Sequence, residues 1–250
     1  QPSHIAILEN LEIGATVAAD LDPANPVPPA DKPYNFTDGN QPPVTVVGAD
    51  IILPLVKTPV INVIPYADFG YIVNKGTGEA TGIRGDIVSI LPYRFELRIL
   101  QPKFTPVYFD SYYESVRATK YDSLDDLTNN YLGWAFTSGL HLLNNALFFD
   151  FLIEDDWGDT TLPALTLTLG ATKDVLQLFD IKASWTRQNI ATWNDIFKYE
   201  SEYSQLGLNI NYYASANMII ALEYKRTFQL DENGVIQSLT TTSVSTKVTF

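Results

Sequence analysis

The chain has 250 residues, a formal net charge of −13 and no cysteine. That acidity excludes the basic footprint of a nucleic-acid partner, and the missing thiols exclude disulfide frameworks and thiolate metal sites. No run of about 18 apolar residues occurs, so no spanning helix is expected and only strands could cross a bilayer.

Helical periodicity is nearly absent, whereas segments of period two recur from end to end. They fall at residues 6–19, 43–56, 59–74, 79–90, 93–105, 130–143, 146–156, 161–172, 176–188, 200–213, 216–229 and 237–250. Strands of about nine to eleven residues tilted by about 45° cross a bilayer, while strands of soluble proteins run to about five or six. The pattern predicts about twelve antiparallel strands in a single domain over residues 1–250.

The first segment alternates Leu11, Ile13, Ala15 and Val17 with Glu12 on the other parity. A proline-rich link from Asp20 to Pro43 follows, read as an extended, constrained surface loop. The second and third segments place Ala49, Ile51 and Phe69 on one face and Asp50 and Asp68 on the other, with a tight turn at Lys57-Thr58. The fourth carries Arg84 and Asp86, and across a turn at Leu91-Pro92 the fifth carries Arg94, Glu96 and Arg98. Inward side chains on such neighbouring rungs lie about 5 Å apart across strands. Together with Asp68 they form the candidate pore-lining row, a mixed row that could select charged solutes; the bland alternative is a set of ion pairs compensating charge inside a small barrel.

The link from Pro106 to Asn129 is too long for a plain turn, and Ser111 to Lys120 could form a short helix within it. It holds Tyr108, Phe109, Tyr112, Tyr113, Arg117 and Lys120, then acidic Asp122, Asp125 and Asp126. Aromatic and cationic groups together can stack on and hydrogen-bond a sugar or an anion. Tyr112, Tyr113, Arg117 and Lys120 are therefore the candidate loop-binding set, unless the link only packs on the rim or on lipopolysaccharide.

Segments six to twelve repeat the pattern. Leu147, Phe149, Phe151, Leu165, Leu167, Leu169, Leu206, Leu208, Ile220 and Leu222 keep one parity, while Asp150, Asp180, Lys182, Glu223, Lys225 and Lys247 keep the other. A charge at the bilayer midplane costs about 2–4 kcal/mol, so charges held to one parity imply a polar lumen inside an apolar belt. The links also alternate in length: Asp20 to Pro43, Asn74 to Glu79, Pro106 to Asn129, Glu154 to Thr160, Gln188 to Tyr199 and Leu230 to Ile236 are long or polar. The intervening links at Lys57-Thr58, Leu91-Pro92, Asn144-Asn145, Thr172 to Val175 and Ala214-Ser215 are tight.

The last segment, Ser243-Val244-Ser245-Thr246-Lys247-Val248-Thr249-Phe250, alternates up to its aromatic end. This ending resembles the carboxy-terminal signature of bacterial outer-membrane β-barrels. The resemblance implies an all-β, transmembrane, antiparallel up-and-down barrel with short periplasmic turns, long extracellular loops and both termini periplasmic. It also implies that Phe250 is an assembly signal read by the barrel assembly machinery, and that outer-membrane lipid and lipopolysaccharide are partners. The opening Gln1-Pro2-Ser3, without a basic apolar leader, suits an exported chain whose signal has been removed.

Catalysis finds little support. The chain offers only His4 and His141 as bases, His141 being placed inward near the periplasmic end, and the loop acids Asp155, Asp156, Asp159, Asp231 and Glu232 lack the spacing of a metal loop. No enzyme activity, metal or cofactor is expected. The functional expectation is a narrow passive channel for small polar or charged solutes. The alternative is a non-conducting barrel that acts through its surface as an adhesin or docks another envelope protein.

Overall fold

The structure, a computed structural model, describes residues 8–21, 23, 43–109, 113, 120, 123–157, 162–231 and 233–248. Expectations for His4, most of the proline-rich link, Tyr112, Arg117, Tyr121, Asp122, Asp159, Glu232 and Phe250 lie outside the described residues.

The strands are β1 (Glu12–Asp20), β2 (Val44–Ile52), β3 (Val56–Lys57), β4 (Ile61–Ile72), β5 (Thr77–Ile87), β6 (Leu91–Leu100) and β7 (Tyr131–Leu142). They continue as β8 (Leu147–Asp156), β9 (Ala164–Ala171), β10 (Phe179–Arg187), β11 (Ser204–Ser215), β12 (Met218–Leu230) and β13 (Ile236–Val248). All 13 belong to one antiparallel sheet whose path follows chain order from β1 to β13, with only the two-residue β3 set aside against β4. This up-and-down order is what a chain of consecutive period-two segments dictates, because each strand pairs with the one just made.

Register explains why the parities matter. Directly opposed residues share a face, and the ladder sets Leu167 against Phe151 and Trp185, Leu208 against Ala183 and Tyr224, and Leu222 against Ile210 and Val244. The intervening rungs set Lys182 against Gly170 and Asn209, and Glu223 against Asn209 and Ser243. One mainly apolar and one mainly polar face therefore run through β8–β13, the first interrupted by Arg187 and Arg226 and passing to Thr and Ser on much of β13. In β1, β2 and β4 the same rule joins Ile13 to Ile51 and Ala67 on one face, and Gly14 to Asp50 and Asp68 on the other.

Several boundaries differ from the sequence reading for local reasons. A 3-10 turn at Leu8–Asn10 precedes β1, so Leu11 stands outside the strand. The turn expected at Lys57-Thr58 is a wider link across 53–60, because Val56 and Lys57 pair back onto Val63 and Asn62. The link at 73–76 is tight rather than long: the Lys75 N–H donates to the Ile72 carbonyl (2.9 Å), and Asn74 holds a φ of 61°. Asn144 and Asn145, at φ 56° and 68°, form the β7–β8 turn, a backbone that asparagine tolerates and that matches strand twist. A short helix α1 (Lys173–Leu176), capped by Thr172, fills the β9–β10 link. Among the described residues no helix is long and apolar enough to cross a membrane.

The chain divides into two compact units. The first comprises Gln1–Leu55, Ile64–Ile83 and Glu96–Gly133; the second comprises Val56–Val63, Arg84–Phe95 and Trp134–Phe250.

Candidate functional site

In the first unit, the polar face changes character toward the long-link ends of its strands. Val44, Val46 and Ile72 occupy the parity that carries Asp50 and Asp68 farther along. An apolar end to a polar face is a seat for an apolar partner, and the 101–130 link supplies it. Tyr108, Tyr113 and Leu124 join Val44 and Ile72 in a buried cluster, with Phe104 and Phe109 packed against it. The three rings of Tyr108, Phe109 and Tyr113 contact one another at centroid distances of 4.7–5.4 Å. Phe104 lies on bare backbone: a Cβ at Gly78 would fall 2.1 Å from its ring.

Polar contacts pin the same link. The Tyr113 hydroxyl donates to Asp20 Oδ2 (2.5 Å), and burial together with that carboxylate pushes its ionisation above the usual tyrosine range. Lys75 and Lys103 reach Asp125 at 2.7 and 3.0 Å and hold its carboxyl below the usual carboxylate range. Lys120 Nζ sits 5.6 Å from the Tyr108 ring centroid. Of the loop-binding set, then, Tyr113 is spent on packing and on Asp20, and Lys120 faces an aromatic ring.

The pore-lining row divides between the units. In the first, Glu96 is only 5% exposed; Tyr66 donates its hydroxyl proton to Glu96 Oε2 and Arg98 Nε donates to Oε1, each at 2.5 Å. Asp68 is exposed on the same face as Tyr66. In the second unit, Asp86 accepts from Asn62 Nδ2 (2.8 Å) and from the Ser89 N–H (3.0 Å), so it braces the tight β5–β6 turn. Arg84 is exposed and Arg94 half-buried.

The polar face of the second unit carries further groups. His141 Nε2 lies 2.9 Å from Asp150 Oδ1, and its Nδ1 lies 2.9 Å from Asn145 Oδ1. These two contacts brace the imidazole at the β7–β8 turn. Asp180 accepts from the Tyr213 hydroxyl and, at 2.7 Å, from the Lys173 N–H. Among the described residues no group of three or more His, Cys, Asp or Glu side chains is placed to hold a metal ion.

The apolar face of this unit is open. Leu169 is 58% and Val244 67% exposed, and an apolar groove of about 490 Å³ lies among Leu140, Phe149, Leu169, Leu176 and Ile181. At its long-link end this face turns polar. Arg187 shares the parity of Trp185 and Leu165, and Arg226 that of Leu206. Arg187 is buried, donating to the Asp195 carbonyl (3.0 Å) and to Ser201 Oγ (2.5 Å), both on the 188–203 link. The sequence reading passed over Arg187; its signal is a cation on the apolar parity at a strand end. Asp195 in turn receives Lys198 Nζ (2.7 Å) and the Thr192 N–H (2.8 Å), which bring its carboxyl down to about 2.

No protein-family model matches the chain, and no curated protein or solved structure matches it either.

Proposed function

We propose that the chain is a membrane-embedded β-barrel of the bacterial outer-membrane type that passes small polar or charged solutes along a narrow path. The observation that carries this reading is the two-faced register of β8–β13. A water-soluble sheet exposing a broad apolar face would be an aggregation hazard, because soluble monomers rarely expose apolar patches beyond a few hundred Å². Facing lipid, the same surface is stable, provided the strand path closes so that no edge is left unpaired in hydrocarbon. Periplasmic termini, Phe250 as the assembly signal, and contact with lipopolysaccharide and the assembly machinery belong to this proposal.

The polar face would then line water. Lys182, Glu223, Lys225 and Asp180 alternate in sign along it, an arrangement that passes small ions of either charge with modest preference. Arg84 and Arg94 would add positive field.

A second reading has its own support in the aromatic cluster on the polar face of the first unit and in the buried Tyr66–Glu96–Arg98 strut. These features suit a barrel filled by its own side chains that works through its surface, docking another envelope protein or acting as an adhesin. Single-channel recording in planar bilayers, beside a gel assay for heat-modifiable migration, separates the readings. Small discrete conductance with heat modifiability supports the channel. Heat modifiability without conductance supports the filled barrel, and neither property leaves the membrane reading refuted.

A further inference from the structure

On the polar parity of the second unit, directly opposed residues run along one rung from Phe148 on β8 through Gly170 on β9, Lys182 on β10 and Asn209 on β11 to Glu223 on β12. All five therefore share a face. Lys182 and Glu223 are exposed and Asn209 is half-buried. Among the described residues, no carboxylate pairs with Lys182, no cation pairs with Glu223, and no other side chain bonds the Asn209 amide. The nearby acids of this face are already engaged, Asp150 with His141 and Asp180 with Tyr213 and the Lys173 N–H.

Register keeps the two free charges apart. Their Cα atoms stand two strand spacings from each other, roughly 10 Å, with Asn209 between them. No bulky side chain fills that interval, because Ser184 faces Gly207 on one neighbouring rung and Asn211 faces Ala221 on the other. At the Lys182 end, Gly170 leaves its place to the Phe148 ring, from which a Cβ at Gly170 would fall only 2.1 Å. The order along the rung is thus apolar ring, cation, amide and anion.

We propose that this rung binds short zwitterionic peptides of two or three residues. The peptide lies across the strands, its carboxylate at Lys182, an internal amide at Asn209, its ammonium at Glu223 and an apolar carboxy-terminal side chain against Phe148. The proposal rests on the channel reading and names its solute class. An extended peptide advances about 3.3–3.6 Å per residue, so three residues match the span, and the flexible Lys and Glu chains take up the difference for two. Both ends make charge-assisted hydrogen bonds, and the Asn209 amide both donates to and accepts from a peptide group. Reversal sets like charges together at each end, which fixes the direction. A simple ion answers one charge only, and a neutral sugar answers neither.

Isothermal titration of the purified, detergent-folded chain with glycyl-glycyl-phenylalanine, and with its N-acetylated and its C-amidated forms, tests the site. The parent peptide should bind severalfold more tightly than either blocked form. Lys182→Gln should weaken the parent severalfold and leave the amidated form unchanged, and Glu223→Gln should weaken the parent and leave the acetylated form unchanged. Lys247→Gln, on the same parity but away from this rung, should change nothing. No binding of the parent, equal binding of the three peptides, or an equal loss in the Lys247 variant overturns the site. Planar-bilayer recording on the same protein separates this outcome from the channel. Conductance without the charge-dependent binding overturns the site and leaves the channel standing, whereas the expected binding pattern without conductance supports the site and overturns the channel.

Discussion

Leu124→Ala tests whether the buried cluster holds the 101–130 link down and, under the proposed channel reading, whether that link restricts passage. Leu124 has no exposed surface and packs in the cluster of Val44, Ile72, Tyr108 and Tyr113. Truncation removes three carbons, about 0.8 kcal/mol of transfer each, and leaves a cavity that the interlocked rings cannot readily collapse. The expected cost is about 3 kcal/mol, at the lower end of the range for buried leucine. If the cost falls on local release of the link rather than on global unfolding, its open population rises roughly a hundredfold, since about 1.4 kcal/mol is tenfold. Leu127, 39% exposed beside it, provides the control, and Leu127→Ala should cost well under half as much.

Two assays read the release. Limited trypsin digestion of the bilayer-reconstituted protein should cut at Arg117 and Lys120 far faster in Leu124→Ala than in Leu127→Ala, with the rest of the chain intact. Mean single-channel conductance should rise in the same variant. Cleavage no faster than in the control would refute the claim that the cluster holds the link down. Faster cleavage without conductance in either protein would shift the choice to the filled barrel.

Glu96→Ala should destabilise the protein by about 3 kcal/mol, because it removes the buried carboxylate that accepts from both Arg98 and the Tyr66 hydroxyl. Glu96→Gln, which keeps an acceptor, should cost less, and equal thermal melts in detergent for both variants would count against a strut. For the 188–203 link, the Asp195 carboxyl lies at about 2 against an ordinary 3.8, with Lys198 the first cause. A depressed acid stabilises above its unfolded value and loses that contribution as pH falls through the folded value. Pepsin should therefore cut the link increasingly as pH drops from about 4 to 2, and Asp195→Asn should abolish the pH dependence; an unchanged profile in that variant would refute it.

Strand content was legible because period two survives any tertiary context. Each residue must face one side or the other, and a one-place slip would bring Lys182 or Glu223 onto the apolar face. All twelve long strands of the path overlap the twelve segments read from the chain. Less legible were features set by pairing rather than by alternation. Val56 and Lys57 turn a tight link into a wider one because Val63 and Asn62 are available to pair, and no local residue pattern announces that. Of the candidate site, the alternation that sets Glu96 and Asp86 apart from the apolar residues of their own strands was legible, but their partners Tyr66 and Asn62 were not, because hydrogen bonds between separate segments leave no periodic trace. The link aromatics were legible as a set; that Tyr113 would be consumed by Asp20 and Ile72 depends on which face the link folds onto.

What decides that face is the chemistry at the strand ends. At Val44, Val46 and Ile72 the polar parity becomes apolar just before the link, so burying Tyr108 and Tyr113 there removes apolar surface from water on both partners. At Arg187, Ser204 and Arg226 the apolar parity becomes polar just before the other link, so that link can cross it only by offering acceptors, and it does so with the Asp195 carbonyl, Ser201 and Glu200. A buried guanidinium on the apolar parity without those acceptors would be far too costly. The same rule therefore packs the 101–130 link onto the polar parity of its own strands and ties the 188–203 link to the apolar parity of its own. Reversing the rule at one end, by Arg187→Leu, should free the 188–203 link while leaving the 101–130 cluster packed, because each link answers only to the parity beneath it.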